Sequence, residues 1–253
     1  MAVLIPSRSS SESYYPEARL TPPTGRIPER ISHRGAHDTF PENSIPAFLR
    51  AFELGADAIE LDVHATRDGV VVVHHDAVIK AARVAGSEER AIAELSSNEV
   101  AQFELDGGVR IPTLYDVLDA VPASARVYVE VKARNIEPLV VRCIRESKAN
   151  CAVHSFDHRI VQTVKKIFPA IRTGVLEVAR HIDPSVSLVA TGAQDLWQDK
   201  EFIDEDLVAR AHSHNARVVA WTANDTEQWK TLRAMGVDAI CTDHIADLAA
   251  FEW

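Results

Sequence analysis

The chain has 253 residues, enough for one large hydrophobic core in a single domain. Its 27 Lys and Arg against 37 Asp and Glu leave a formal charge of -10, which argues against a nucleic-acid binder, since such proteins present a basic face. Cys143, Cys151 and Cys241 are odd in number and lack ligand-like spacing, so a reduced compartment and packing roles are expected.

The opening Met-Ala-Val-Leu-Ile-Pro has no basic flank and few apolar residues, and no later run approaches the roughly 18 apolar residues of a membrane span. A soluble, cytoplasmic chain without a stable membrane anchor is expected. Residues 1–28, rich in Ser, Pro, Glu and Arg without a steady period, read as an N-terminal arm, and residues 29–253 as one domain.

From residue 30 short β-rich runs alternate with amphipathic stretches, the βα pattern of a parallel sheet. The first strand is expected over 29–33 and the first helix over 44–54, with Asn43 as its cap, a stripe of Ile45, Phe48, Leu49 and Phe52, and Gly55 closing it. Strands at 57–63 and 70–75 are joined by a short link carrying Asp68-Gly69, a tight turn; a hairpin makes them antiparallel and a compact crossover keeps them parallel. Residues 77–110 form a long insertion over the barrel rim, where an excursion can help shape a pocket. Further strands are predicted at 126–131, 151–154, 171–176, 194–197, 217–221 and 238–241, with helices at 113–120, 137–148, 157–167, 204–214 and 225–235. Nine strand candidates exceed by one the needs of a closed eight-stranded barrel, and 194–197, thin in apolar residues, is the first to doubt.

Strand alternation puts Glu60 and Asp62 on one face, and Glu130 and Lys132 on one face. Two unpaired acids on a buried face cost several kcal/mol unless a cation lies between them. Each polar residue also has a plain structural reading: His33 satisfies a carbonyl, Arg34 pairs with Glu42, Glu60 with Lys132, and His37 lies solvated in a loop. Only one of His74 and His75 can point inward. The coincidence of His33, Glu60, Asp62, His75, Glu130 and Lys132 at or near strand C-termini favours chemistry, because barrel enzymes place their sites at that rim.

The ordered series His33-Arg34-Gly35, Pro41-Glu42-Asn43-Ser44, Glu60-Leu61-Asp62, Asp68-Gly69 and His75-Asp76 resembles the opening signature of the glycerophosphodiester phosphodiesterase family. The similarity continues through Ile111-Pro112-Thr113-Leu114, Glu130-Val131-Lys132, Ser155-Phe156, Trp221-Thr222-Ala223-Asn224 and the run from Gly236 to Asp243. It implies an α/β fold, a TIM (β/α)8 barrel of the phospholipase-C-like phosphodiesterase type. It also implies metal-dependent hydrolysis of a small glycerophosphodiester to glycerol 3-phosphate and an alcohol. By the same resemblance, His33 and His75 are the acid/base pair, and Glu60, Asp62 and Glu130 the metal ligands. Arg34 and Lys132 contact phosphate, Glu42 and Asn43 brace the rim, and Trp221 walls the alcohol-bearing part. The all-oxygen set favours one hard divalent cation, Mg2+ or Ca2+, with Mn2+ also compatible.

Ser44 stands where the family frequently has Thr, which keeps the hydroxyl, and the segment after Asp76 lacks the usual polar run, which bears on substrate preference. A phospholipase D-like lyase acting on a lysophospholipid is the rival enzyme; it calls for an apolar collar at the rim, and no exposed apolar run is evident. A noncatalytic glycerophosphodiester-binding protein is the rival of another class. No oligomeric state is assigned.

Overall fold

The computed structural model describes residues 25–79 and 89–253. All of the expected N-terminal arm but its last four residues lies outside the described part, as do residues 80–88 of the insertion.

Eight parallel strands close into a barrel: β1 (Glu29–His33), β2 (Ala58–Ala65), β3 (Arg126–Val131), β4 (Asn150–Ser155), β5 (Arg172–Glu177), β6 (Asp195–Asp199), β7 (Arg217–Trp221) and β8 (Ala239–Thr242). The circle is sealed where β1 pairs with β8, Ile31 beside Cys241, and with β2, His33 beside Glu60. Helices follow the strands in turn: α1 (Ile45–Glu53), α2 (Leu114–Ala120), α3 (Glu137–Glu146), α4 (His158–Ile167), α5 (Ser185–Thr191), α6 (Glu205–Ser213), α7 (Thr226–Ala234) and α8 (Ile245–Ala250).

The surplus strand is the segment at 70–75. Val71–Val73 pairs antiparallel with β2, Val63 opposite Val73, so the Asp68-Gly69 turn makes a hairpin and no crossover. The doubted strand at 194–197 is barrel strand β6. Its apolar content is thin because its buried polar residues are paired: Asp195 with Arg172 and Arg217, and Gln198 with the carbonyls of Glu177 and Ala179. Two helices lacked a sequence signal, α5 and α8. The α5 sequence, Ser-Val-Ser-Leu-Val-Ala-Thr, is rich in β-branched and hydroxyl residues of modest helix propensity, and left-handed Gly192 (φ 71°) ends it.

Two kinds of core follow from strand alternation. On the outer face Ile59, Leu61 and Val63 of β2 pack with Phe48 of α1 and with Leu114 and Val117 of α2. Inside the barrel Tyr128 and Trp197 interdigitate with the small residues Ala58, Ala152 and Ala239. Gly174 is required there, since a Cβ on it would stand 2.7 Å from Trp197 Cδ1. The N-terminal mouth is plugged by charge: Glu29 accepts from Arg126 (3.0 Å), Arg217 (2.6 Å) and the Tyr128 hydroxyl (2.9 Å). Among the described residues this cluster fills the N-terminal mouth, and the interior pocket lies at the strand C-termini.

The insertion forms a small apolar cluster of its own, in which Ile79, Ile92, Leu95 and Val100 pack on Val72 and Ile111. None of its described residues lines the rim pocket, so among these residues the expected contribution to that pocket is not found.

Candidate active site

The C-terminal ends of the strands surround a pocket of about 370 Å3. One half is charged or imidazole-bearing, with His33, Arg34, Glu60, His75, Glu130, Lys132 and His154; the other is largely apolar, with Phe156, Leu176, Trp197, Trp221, Thr222 and Cys241.

Local backbone explains how the first side chains arrive. At the end of β1 Arg34 adopts a left-handed conformation (φ 55°), held by its N–H donating to the Glu60 carbonyl (3.0 Å) and its carbonyl accepting from Asn43 N–H (3.0 Å). This aims the guanidinium at Glu42 (3.1 Å) and Asp62 (3.2 Å). Asn43, also left-handed (φ 56°), donates to Asp62 Oδ2 (2.9 Å) and accepts from Asp62 N–H (3.2 Å). It therefore does not cap α1 as expected. Ser44 does, in an extended conformation, with its hydroxyl accepting from Ala47 N–H.

Lys132 stands 3.0 Å from Glu130 and 3.3 Å from Asp62; these two acids are its partners, rather than the Glu60 of the plain structural reading. Burial by itself would raise the Asp62 pKa, but Lys132 and Arg34 outweigh it and hold Asp62 below the usual carboxylate range. Glu60 lies at the opposite extreme. Burial, then the charges of Asp62 and Glu130, push its pKa well above the ordinary value, and among the described residues its Oε1 has no hydrogen-bond partner. Burial and Asp62 likewise push Glu130 up to about 7.

Two imidazoles face the pocket with their orientation set from behind. His33 Nδ1 lies 2.6 Å from Asp243 Oδ1, leaving Nε2 towards Glu60 (4.0 Å). His75 Nδ1 lies 2.8 Å from Asp76 Oδ1. His75 lines the pocket and His74 does not, which settles the alternation that adjacency left open. His37 is not simply solvated: its Nε2 lies 3.1 Å from Asp243 Oδ1, and this contact raises its pKa. Asn224 completes the support, donating to Asp243 Oδ2 (2.7 Å).

Sequence reasoning left Asp243 and His154 without roles. Asp243 follows β8 in phase with inward Cys241, and His154 follows inward Ala152 by two residues, so alternation alone would have flagged both. His154 is fully buried, stacked on Trp197 (4.2 Å, 4° between planes), and burial drives its pKa down to about 3, so the ring is neutral. Glu60, Glu130 and His154 present ligand atoms within 4.8 Å of one another. On the apolar side Phe156 stands edge-on to Trp221 (5.4 Å) and is 45 % exposed. The pocket's apolar wall is thus assembled from separate strands, which no continuous apolar run in the sequence could show.

The donor set suits a divalent cation. Glu60, Asp62 and Glu130 against Arg34 and Lys132 leave one net negative charge when all are ionised, and a buried carboxylate oxygen without a partner is a costly feature unless a cation meets it. With a divalent ion the balance becomes one net positive charge, the complement of a single phosphodiester.

A closed (β/α)8 barrel with acids, imidazoles and fixed cations around its C-terminal mouth has its candidate active site where barrel enzymes place theirs. Residues 33–247 match the model of the glycerophosphoryl diester phosphodiesterase family, and the chain belongs to that family. It is 31 % identical over 228 residues to a glycerophosphodiester phosphodiesterase of Caldanaerobacter subterraneus, covering 84 % of this chain and 93 % of that protein. In fold it is similar to the glycerophosphodiester phosphodiesterase of Thermotoga maritima (TM-score 0.77, 24 % identity, 90 % and 99 % of the two chains). It is also similar in fold to an Oleispira antarctica phosphodiesterase in complex with the product sn-glycerol-3-phosphate (TM-score 0.80, 21 % identity, 88 % and 96 %).

Proposed function

We propose that this chain hydrolyses a small, water-soluble glycerophosphodiester to glycerol 3-phosphate and an alcohol, with one divalent cation and histidine acid/base catalysis. The observation that carries the reading is the buried Glu60 Oε1, without a hydrogen-bond partner among the described residues, and its neighbour Glu130, set in one pocket with two Asp-oriented histidines, Arg34 and Lys132. Family membership supplies the substrate class.

Glu60 and Glu130 would hold the cation. Asp62 would join them through the acceptor capacity it retains beside Lys132, Arg34 and Asn43, since a carboxylate offers about four lone-pair sites. When bound, the ion would polarise a nonbridging phosphate oxygen and offset charge developing in the transition state. Arg34 and Lys132 would hold the other phosphate oxygens, each contact worth about 3 to 4 kcal/mol where it strengthens in the transition state. Of His33 and His75, one takes the proton of the attacking oxygen and the other protonates the leaving alcohol. The attacker is water, or the neighbouring glycerol hydroxyl, whose intramolecular attack avoids much of the entropy of a bimolecular step and passes through a cyclic phosphate. Phe156 and Trp221 would receive the apolar part of the substrate. Among the described residues no helix is long and apolar enough to cross a membrane.

The test is a purified-enzyme assay with and without divalent metal on glycerophosphocholine, glycerophosphoethanolamine, glycerophosphoinositol and a lysophospholipid, products being identified by phosphorus NMR. Metal-dependent release of glycerol 3-phosphate supports the proposal. A persistent cyclic phosphate from the lysolipid alone would replace it with the lyase reading, and binding without turnover on any substrate would replace it with a binding role.

A further inference from the structure

The strands β2, β3 and β4 lie side by side, and their register sets Asp62 beside Glu130 and Glu130 beside His154. His154 is therefore an inward neighbour of the acids, with its Nε2 3.8 Å from Glu60 Oε1. That separation is too long for a hydrogen bond. It suits two donors of one ion: ligand atoms about 2.1 Å from a metal stand about 3 Å apart at right angles and just over 4 Å apart when opposed. Glu60, Glu130 and His154 offer one donor atom each, all within 4.8 Å of one another.

We propose that His154 is a nitrogen ligand of the cation site, so that Glu60, Glu130 and His154 form its core and the site favours Mn2+, Co2+ or Zn2+ over Mg2+ and Ca2+. The inference rests on the reading that a divalent cation works in this pocket, and it departs from the all-oxygen site expected from sequence. Three further observations support it. Among the described residues Glu60 Oε1, the atom that His154 Nε2 faces, is buried and has no hydrogen-bond partner, a cost of about 1 to 3 kcal/mol unless a cation meets it. The ring is held rigidly, flat against Trp197, whose own seat depends on the missing side chain at Gly174. Asp62 already engages Lys132, Arg34 and Asn43, so it is the acid least free to dominate coordination. Imidazole suits first-row transition ions, whereas Mg2+ and Ca2+ favour oxygen.

The test uses the metal-stripped full chain. Manganese-loaded wild-type protein, examined by electron spin echo envelope modulation, should show directly coordinated 14N that disappears in His154→Gln. Competition titrations should show the preference for Mn2+ over Mg2+ falling about tenfold or more in the same variant. Should His154→Gln fail to fold, long-range 1H–15N spectra of wild type decide: Zn2+ should move the imidazole resonance that contacts the Trp197 ring. Stoichiometric binding without nitrogen coupling, an unmoved His154 resonance, or an unchanged preference in the variant overturns this inference and leaves the phosphodiesterase reading standing. Absence of any stoichiometric divalent binding overturns both.

Discussion

Replacing Glu130 by Gln should change how stability depends on pH when metal is absent. The folded carboxyl is pushed up to about 7 from an ordinary 4.5, first by burial and then by Asp62, so it keeps its proton where the unfolded chain has lost it. Folding therefore takes up a proton between these limits. The stability contribution is fully present below about pH 4.5, declines as pH rises, and is lost above about 7. Two and a half decades of proton affinity correspond to about 3 kcal/mol. Gln fills the same space and never ionises, so the variant's stability relative to wild type should rise by about that amount from acid to mildly alkaline pH. The assay is urea denaturation of chelator-treated proteins at pH 5, 6, 7 and 8, compared pairwise so that His37 and His212, which titrate alike in both, cancel. A saturating divalent ion should then restore wild type far more than the variant. A wild-type to variant difference that stays flat across this range would refute the electrostatic account of the site.

His33→Ala and His75→Ala should each lower turnover by about two to four orders of magnitude, while His74→Ala, whose ring lies outside the pocket, should change it little; equal losses at His74 and His75 with metal content intact would contradict the assignment. Asp243→Asn removes the carboxylate behind His33 and should reduce kcat by at least about tenfold with a small change in KM and a displaced pH profile; an unmoved profile would leave Asp243 a purely structural residue. Arg217→Met, at the closed end of the barrel, should cost about 1 to 3 kcal/mol by removing one charged partner from each of Glu29 and Asp195, which keep Arg126 and Arg172, with kcat/KM unchanged at temperatures where the protein stays folded. A large kinetic defect there would contradict the separation of a stabilising mouth from a chemical one.

Much of the site was legible because alternation is a local property of extended chain. Glu60 with Asp62, and Glu130 with Lys132, share faces whatever the strands pair with; the structure brings Glu60, Glu130 and Lys132 into one pocket, with Asp62 behind them against Lys132. The eightfold alternation of strand and helix was likewise written in hydrophobic periodicity, apart from α5 and α8. Pairing was not local. Whether residues 70–75 or 194–197 belonged to the barrel depended on neighbours: Val71–Val73 folds back on β2, whereas the buried polar residues of β6 find Arg172, Arg217 and backbone carbonyls from adjacent strands.

The same distinction separates the residues found from those missed. Lys132 choosing Asp62 and Glu130, His33 meeting Asp243 across 210 residues of sequence, and His154 approaching Glu60 all depend on barrel register and closure. By itself the amino-acid sequence determined which side chains share a face, because the backbone repeats every two residues. Only the tertiary structure decided which faces meet and which charges lose water, because desolvation and Coulomb energy depend on neighbours brought together by folding.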